Sequence, residues 1–232
     1  MFIDPIYLLV VGIGAALSMW AQWRVKSNFA KYSQVAVRSR MTGAEAARAV
    51  CQAAGVHGVT IEEHQGFLSD HYDPRAKALR LSPDVYRGRS VASIAVAAHE
   101  AGHSIQDKTN YAMLGFRSQI VPATQIGARF WYLPFMAGVM LQMQGLMMLA
   151  AALFAGVVLF QFVTLPVEFD ASRRAKAVLA QTGIVSTQEE ARGVEKVLDA
   201  AAMTYMAAAA GALLQLLFIL YRSGLLGGRS DD

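Results

Sequence analysis

The segment His99-Glu100-Ala101-Gly102-His103 reads H-E-x-x-H. On a helix, residues four apart lie one above the other on a single face. Both imidazoles can then reach one metal ion at about 2.0–2.1 Å. The donors suit Zn²⁺, which would lower the pKa of a water molecule. Glu100, next to the first histidine, can take the proton of that water as it attacks a carbonyl and return it to a leaving amine. A pair of surface or core histidines with an incidental glutamate is the bland alternative. With only 5 histidines in 232 residues, a chance match at this spacing is rare.

A catalytic zinc site needs a third protein ligand and an open position. A further histidine six residues after His103 would complete one known arrangement, but that position is Thr109. His57, His64, His71 and Asp107 are the nearby candidates. Glu168 is a distant one, in Pro166-Val167-Glu168-Phe169-Asp170-Ala171-Ser172. Its alternative is an ion pair with Arg173 or Arg174. An oxyanion formed during carbonyl attack needs a hydrogen-bond donor, and His71, Tyr72, Tyr111 and Arg129 are candidates.

The elements that must position these residues divide between apolar and polar stretches. Hydrophobic residues make up 55% of the chain and charged residues 16%, with the charges clustered, which favours membrane spans joined to a polar body. Residues 1–22 form an apolar anchor followed by Arg24, Lys26, Lys31, Arg38 and Arg40. The positive-inside rule then puts the residues that follow in the cytoplasm. Residues 119–165 are long enough for a transmembrane hairpin turning near Gln142–Gly145. Its first arm is interrupted by Pro122, Gln125, Arg129 and Pro134. Residues 200–222 read as a fourth span and residues 223–232 as a tail. Between them, residues 23–118 form a cytoplasmic body and residues 166–199 a helix at the same membrane face. The expected partner is therefore the lipid bilayer, and the expected location the cell membrane, with multiple passes. The net charge of +4 comes from basic residues flanking apolar runs. This excludes a nucleic-acid interface built of basic and aromatic residues.

Within the body, Thr42 and Glu45 have the spacing of a capping box opening a helix that ends near Gly55. Strands are expected over 56–62, 66–73 and 77–82, the last two joined as a hairpin at Asp73-Pro74-Arg75. The 77–82 strand could pair with an extended peptide. Ser90 can cap the helix carrying His99 and His103. The fold class is thus mainly α and membrane-integral, with about four transmembrane helices. A small α+β zincin-like domain places a β-hairpin before the motif helix. Cys51, the one cysteine, permits no intrachain disulfide and reads as a small buried residue.

The segments Ser69-Asp70-His71-Tyr72-Asp73-Pro74, Ala97 to Gln106 and Leu165 to Ser172 together resemble the YugP-like neutral zinc metallopeptidases of bacterial membranes. That family is similar to the HtpX-like and CAAX prenyl membrane proteases, which carry E-x-x-A-D-x-x-A after two spans. The resemblance implies Zn²⁺ as cofactor and peptides or membrane proteins as substrates. It puts Glu168 on the metal and matches Ala171 and Ala175 to the small residues. Ser172 stands where the larger group has Asp, so the carboxylate that would orient a ligating histidine is missing there, and Asp170 is its candidate substitute. The expected activity is a zinc-dependent endopeptidase of gluzincin type. A non-catalytic zinc-binding membrane adaptor or scaffold is the alternative, but structural zinc needs no Glu100 and is normally closed by four Cys or His ligands. A small transporter has only Arg129 in its favour.

Overall fold

The computed structural model describes residues 4–67 and 69–226. The first three residues of the expected anchor, Leu68 of the expected 66–73 strand and residues 227–232 of the tail lie outside this range. The chain is mainly helical with one small sheet. In order the elements are α1 (Pro5–Ser33), α2 (Gly43–Ala53), β1 (Thr60–Glu63), β2 (His71–Asp73), β3 (Ala78–Leu81), α3 (Pro83–Tyr86), α4 (Val91–Lys108), α5 (Ala112–Phe130), α6 (Tyr132–Met140), α7 (Gln144–Thr182) and α8 (Gln188–Arg222). They group into two compact units.

One unit comprises residues 22–115 and 166–203. The Thr42 hydroxyl accepts from the Glu45 N–H at 3.2 Å, and the Glu45 carboxylate accepts from the Thr42 N–H at 2.7 Å, which fixes the start of α2. Helix α2 buries Ala46, Ala47, Val50 and Cys51 and packs on α4. The sheet order is β1-β3-β2, with β3 antiparallel to β2 and parallel to β1. The hairpin expected before the motif helix is therefore present. Its second strand, however, is the central one. Both edges of β3 are hydrogen-bonded within the sheet, so the 77–82 segment offers no edge to an extended peptide. The first strand also starts later than the hydrophobic pattern implies, at Thr60. Gly58 has φ +74°, a left-handed conformation that interrupts an extended run.

Helix α4 begins where the Ser90 hydroxyl accepts from the Ser93 N–H at 3.2 Å. It is apolar or small nearly all round and buried along most of its length, as a central helix must be. In α7, Glu168, Ala171, Ser172, Ala175 and Leu179 recur at helical spacing and are all buried. The two helices meet at Gly102. A Cβ there would lie 2.4 Å from the Ala171 carbonyl oxygen and 3.2 Å from its Cα, so only glycine allows the approach.

The other unit holds the described residues up to 21, residues 116–165, and those from 204 on. Phe135, Ala150, Ala151, Phe154, Val158, Phe218 and Ile219 form its buried centre. Among the described residues, three helices, α1, α7 and α8, are long and apolar enough to cross a membrane. Ile6, Leu8, Leu9, Met19 and Trp20 of α1 are exposed, which suits lipid better than water. The first arm of the expected hairpin, about 120–142, whose interruption the prolines signal, is divided between α5 and α6 at Trp131. Pro134 is the physical cause. It has no N–H for the Phe130 carbonyl, and its ring crowds that carbonyl. The turn expected near 142–145 lies at Leu141–Met143, with Gln142 at φ +55°.

Replacing Gly102 by Ala should cost about 1–3 kcal/mol through overpacking. This would lower the thermal midpoint of the detergent-purified protein. Gly145→Ala, with nothing within 4 Å of the added Cβ, should not lower it. Equal midpoints for wild type and Gly102→Ala would show that the helices separate freely.

Candidate metal centre

His99 and His103 project from α4, and Glu168 from α7, to one point. The Glu168 Oε2 lies 3.2 Å from His99 Nε2 and 3.5 Å from His103 Nε2. The side chains are 11% exposed for each histidine and 4% for the glutamate, so solvent hardly competes for these donors. Ligands held about 2.0–2.1 Å from a tetrahedral zinc stand about 3.3 Å apart. The observed separations match that spacing, and two imidazoles with one carboxylate are a donor set zinc accepts. The residues therefore fit the ion. Among the described residues this is the one group of three or more His, Cys, Asp or Glu donors with such convergence. His57, His64, His71 and Asp107 fall outside it.

The other ring nitrogens are tethered. The amide nitrogen of Gln106 donates to the Val167 carbonyl at 2.7 Å and to Asp170 Oδ2 at 2.9 Å. Its oxygen is thereby turned to His103 Nδ1, 3.0 Å away. A carbonyl oxygen only accepts, so Nδ1 carries a proton and Nε2 is the ring nitrogen left to face a metal. Asp170 is in turn paired with Arg173 and Arg174. His99 Nδ1 lies 3.0 Å from the Ser172 hydroxyl. The hydroxyl thus occupies the place where the resemblance left a carboxylate missing, while Asp170 acts on the other histidine through Gln106. Gln106 did not emerge as a site residue from the sequence, although its position three after His103 puts it on the same helix face.

Glu100 is buried beside the pair, 8% exposed. Burial raises its carboxyl above the ordinary range. His99 and His103 oppose that shift, and the charges of Glu168 and Asp70 add to it. Burial lowers the His103 imidazole, but its bond to Glu168 and the charges of Glu100 and Glu168 prevail, so it titrates above an ordinary histidine. Asp70 also escaped the sequence reading. Its half-buried carboxylate accepts from the Ser82 N–H at 2.7 Å and from the Ser82 hydroxyl at 3.0 Å.

The remaining candidates have other partners. The Tyr72 hydroxyl donates to Asp107 at 2.6 Å, and burial, then that bond, push the phenol well above its usual range. Its one proton is committed to joining β2 to α4. The His71 Nδ1 lies 2.8 Å from the Ser69 carbonyl, to which it donates, and its ring sits edge-on to His64 at 5.4 Å. The Arg174 guanidinium lies over the Tyr111 ring at 5.7 Å, and that of Arg129 over Phe130 at 5.7 Å.

Known proteins resemble this chain along nearly its whole length. A family model described as "Putative neutral zinc metallopeptidase" matches residues 7–223. The chain is also similar to "Putative membrane protease YugP" of Bacillus subtilis (strain 168). The two are 44% identical over 228 residues, covering 98% of this chain and 99% of the relative. No solved structure matches the chain.

Two outcomes follow for the metal. Gln106→Leu and Ser172→Ala, which free one ring each, should weaken zinc affinity about 10–100-fold in competition with a chelator, with the fold retained by circular dichroism. Unchanged affinity in both would mean that the tethers do not orient the rings. Zinc binding must also displace a proton from His103. Because that proton is held more tightly than on an ordinary histidine, affinity should begin to decline, as pH falls, above the ordinary value of about 6.5. An affinity that stays flat until pH passes below that value would contradict the raised His103.

Proposed function

This chain belongs to the neutral zinc metallopeptidase family, and we propose that it is a membrane-embedded, zinc-dependent endopeptidase of the H-E-x-x-H plus Glu type. In this reading His99, His103 and Glu168 hold the ion, and Glu100 is the general base and acid. The observation that carries it is the convergence of two imidazole Nε2 atoms and one carboxylate beside a buried glutamate with no place in the donor set. A structural metal site has no use for that glutamate.

When bound, zinc supplies a Lewis acid that lowers the pKa of water and polarises the scissile carbonyl. Glu100 takes one proton from the attacking water, whose oxygen bonds to the carbonyl carbon. As the C–N bond breaks, the same carboxyl delivers that proton to the amine nitrogen. Burial holds the Glu100 carboxyl above the usual range, which makes its carboxylate a stronger base for taking that proton. Gln106 with Asp170, and Ser172, keep the two imidazoles aimed during the cycle.

The protein is proposed to cross the membrane several times, with this site at the cytoplasmic face. Residues 22–115 and 166–203 form one compact unit, so the segment between them leaves and returns on the same side. A crossing by residues 144–165 then requires a second crossing by the broken α5–α6 segment. Basic residues at 24, 26, 31, 38, 40, 117, 173, 174 and 176 support the inward orientation. Membrane proteins or their exposed segments are the substrates this location supplies.

Glu100→Gln should keep stoichiometric zinc yet lose hydrolysis of casein or a model peptide by at least about 10²-fold, the usual range for a proton-transfer group. Glu168→Ala should lose the metal itself. A wild type that binds zinc but cleaves nothing beyond the Glu100→Gln background would point instead to a zinc-binding adaptor.

A further inference from the structure

Apart from the metal centre, the unit of residues 22–115 and 166–203 contains a cavity of about 630 Å³, within the usual size range of small-ligand sites. Lys26, Phe29, Ala30 and Ser33, at the spacing of a single face of α1, line it together with Gln34 just past the helix end. Phe67, Asp84 and Arg89 also line it, as do Ser90 and Ser93 at the start of α4.

The charges in this cavity are unspent. Among the described residues, neither the Lys26 ammonium nor the Arg89 guanidinium has a hydrogen-bond or ion-pair partner, and the Asp84 carboxylate has none either. Arg89 is felt elsewhere only as a charge acting on Glu45. Beside them stands an apolar surface. Phe29 and Phe67 meet edge-on at 6.0 Å, and Phe67 is 60% exposed. An occupant that satisfies all of these features has an anionic group for the two cations, a cationic group for Asp84 and an apolar body for the aromatic rings.

The position along α1 narrows the choice. Trp20 and Trp23 are exposed, 46% and 65%, as indoles at a membrane interface are. Lys26 lies one turn beyond Trp23, about 4.5 Å further along the axis. The headgroup layer on each side of a bilayer is about 5–7 Å thick, so Lys26 falls within it.

We infer that this cavity binds the headgroup of an aminophospholipid, with its phosphate between Lys26 and Arg89 and its ammonium at Asp84. The glycerol and first acyl carbons lie against Phe29 and Phe67. The inference rests on α1 spanning the membrane and is independent of the metal centre.

Native mass spectrometry of the full chain, purified in detergent and titrated with equal amounts of phosphatidylethanolamine and phosphatidylglycerol, tests it. Wild type should retain one phosphatidylethanolamine in preference. Lys26→Gln with Arg89→Gln should lower retention of both lipids by roughly tenfold or more, as expected for lost charge-assisted hydrogen bonds. Asp84→Asn should remove the preference for the amine while phosphatidylglycerol still binds. Zinc content at the wild-type level certifies the fold of each variant. If the double variant loses zinc, the single Arg89→Gln variant takes its place. Equal retention by wild type and the cation variants, or an unchanged lipid ratio in Asp84→Asn, overturns the assignment. Binding of inorganic phosphate without either lipid would make this a free-phosphate site and overturn it too. Recovery of the wild type in the soluble fraction without detergent would instead refute the membrane reading of α1, and the lipid site with it.

Discussion

Helix α4 can set two histidines opposite Glu168 only because no side chain separates its backbone from α7 at Gly102. The Ala171 carbonyl stands where a Cβ would be. From that contact outward the pattern of small residues follows. Ala97, Ala98 and Ala101 on α4, and Ala171 and Ala175 on α7, are fully buried. Larger residues would push the helices apart and lengthen the 3.2 and 3.5 Å approaches of Glu168 to the imidazoles. The tight packing and the donor geometry are one constraint.

Close packing alone would not make such a site tolerable, because it buries carboxylates and imidazoles where charge is costly. The polar groups answer one another instead. Asp170 is neutralised by Arg173 and Arg174 and accepts from Gln106, which holds His103. Ser172 holds His99. At Glu100 burial prevails, and the carboxyl is displaced upward. A residue that resists ionisation is poorly suited to stabilising a fold and well suited to passing a proton back and forth.

Much of this was legible in the sequence because it depends on local spacing. Thr42 and Glu45, Ser90 ahead of the motif helix, and the hairpin at Asp73-Pro74 are short-range patterns, and they form as the residues dictate. The nearness of Glu168 to a motif more than sixty residues away was legible only through chain direction and the family resemblance. What escaped depends on pairing in space. Nothing in the 77–82 segment reveals that β1 will cover its free edge. Both Pro122 and Pro134 mark the 120–142 arm as interrupted, but the sequence does not tell that Pro122 is accommodated inside α5 while the chain divides at Trp131, ahead of Pro134. Tyr72 looks like a free phenol until Asp107, thirty-five residues on, accepts its hydrogen bond. The role of Gln106 required knowing that Val167 and Asp170 orient its amide.

The central claim concerns which atoms hold the metal, and zinc-edge X-ray absorption on the purified wild-type protein reads those atoms directly. The account predicts nitrogen and oxygen neighbours only, at about 2.0–2.1 Å, with scattering from two imidazoles, one carboxylate and a position left to solvent. Sulfur at about 2.3 Å, or three or more imidazoles, would contradict it.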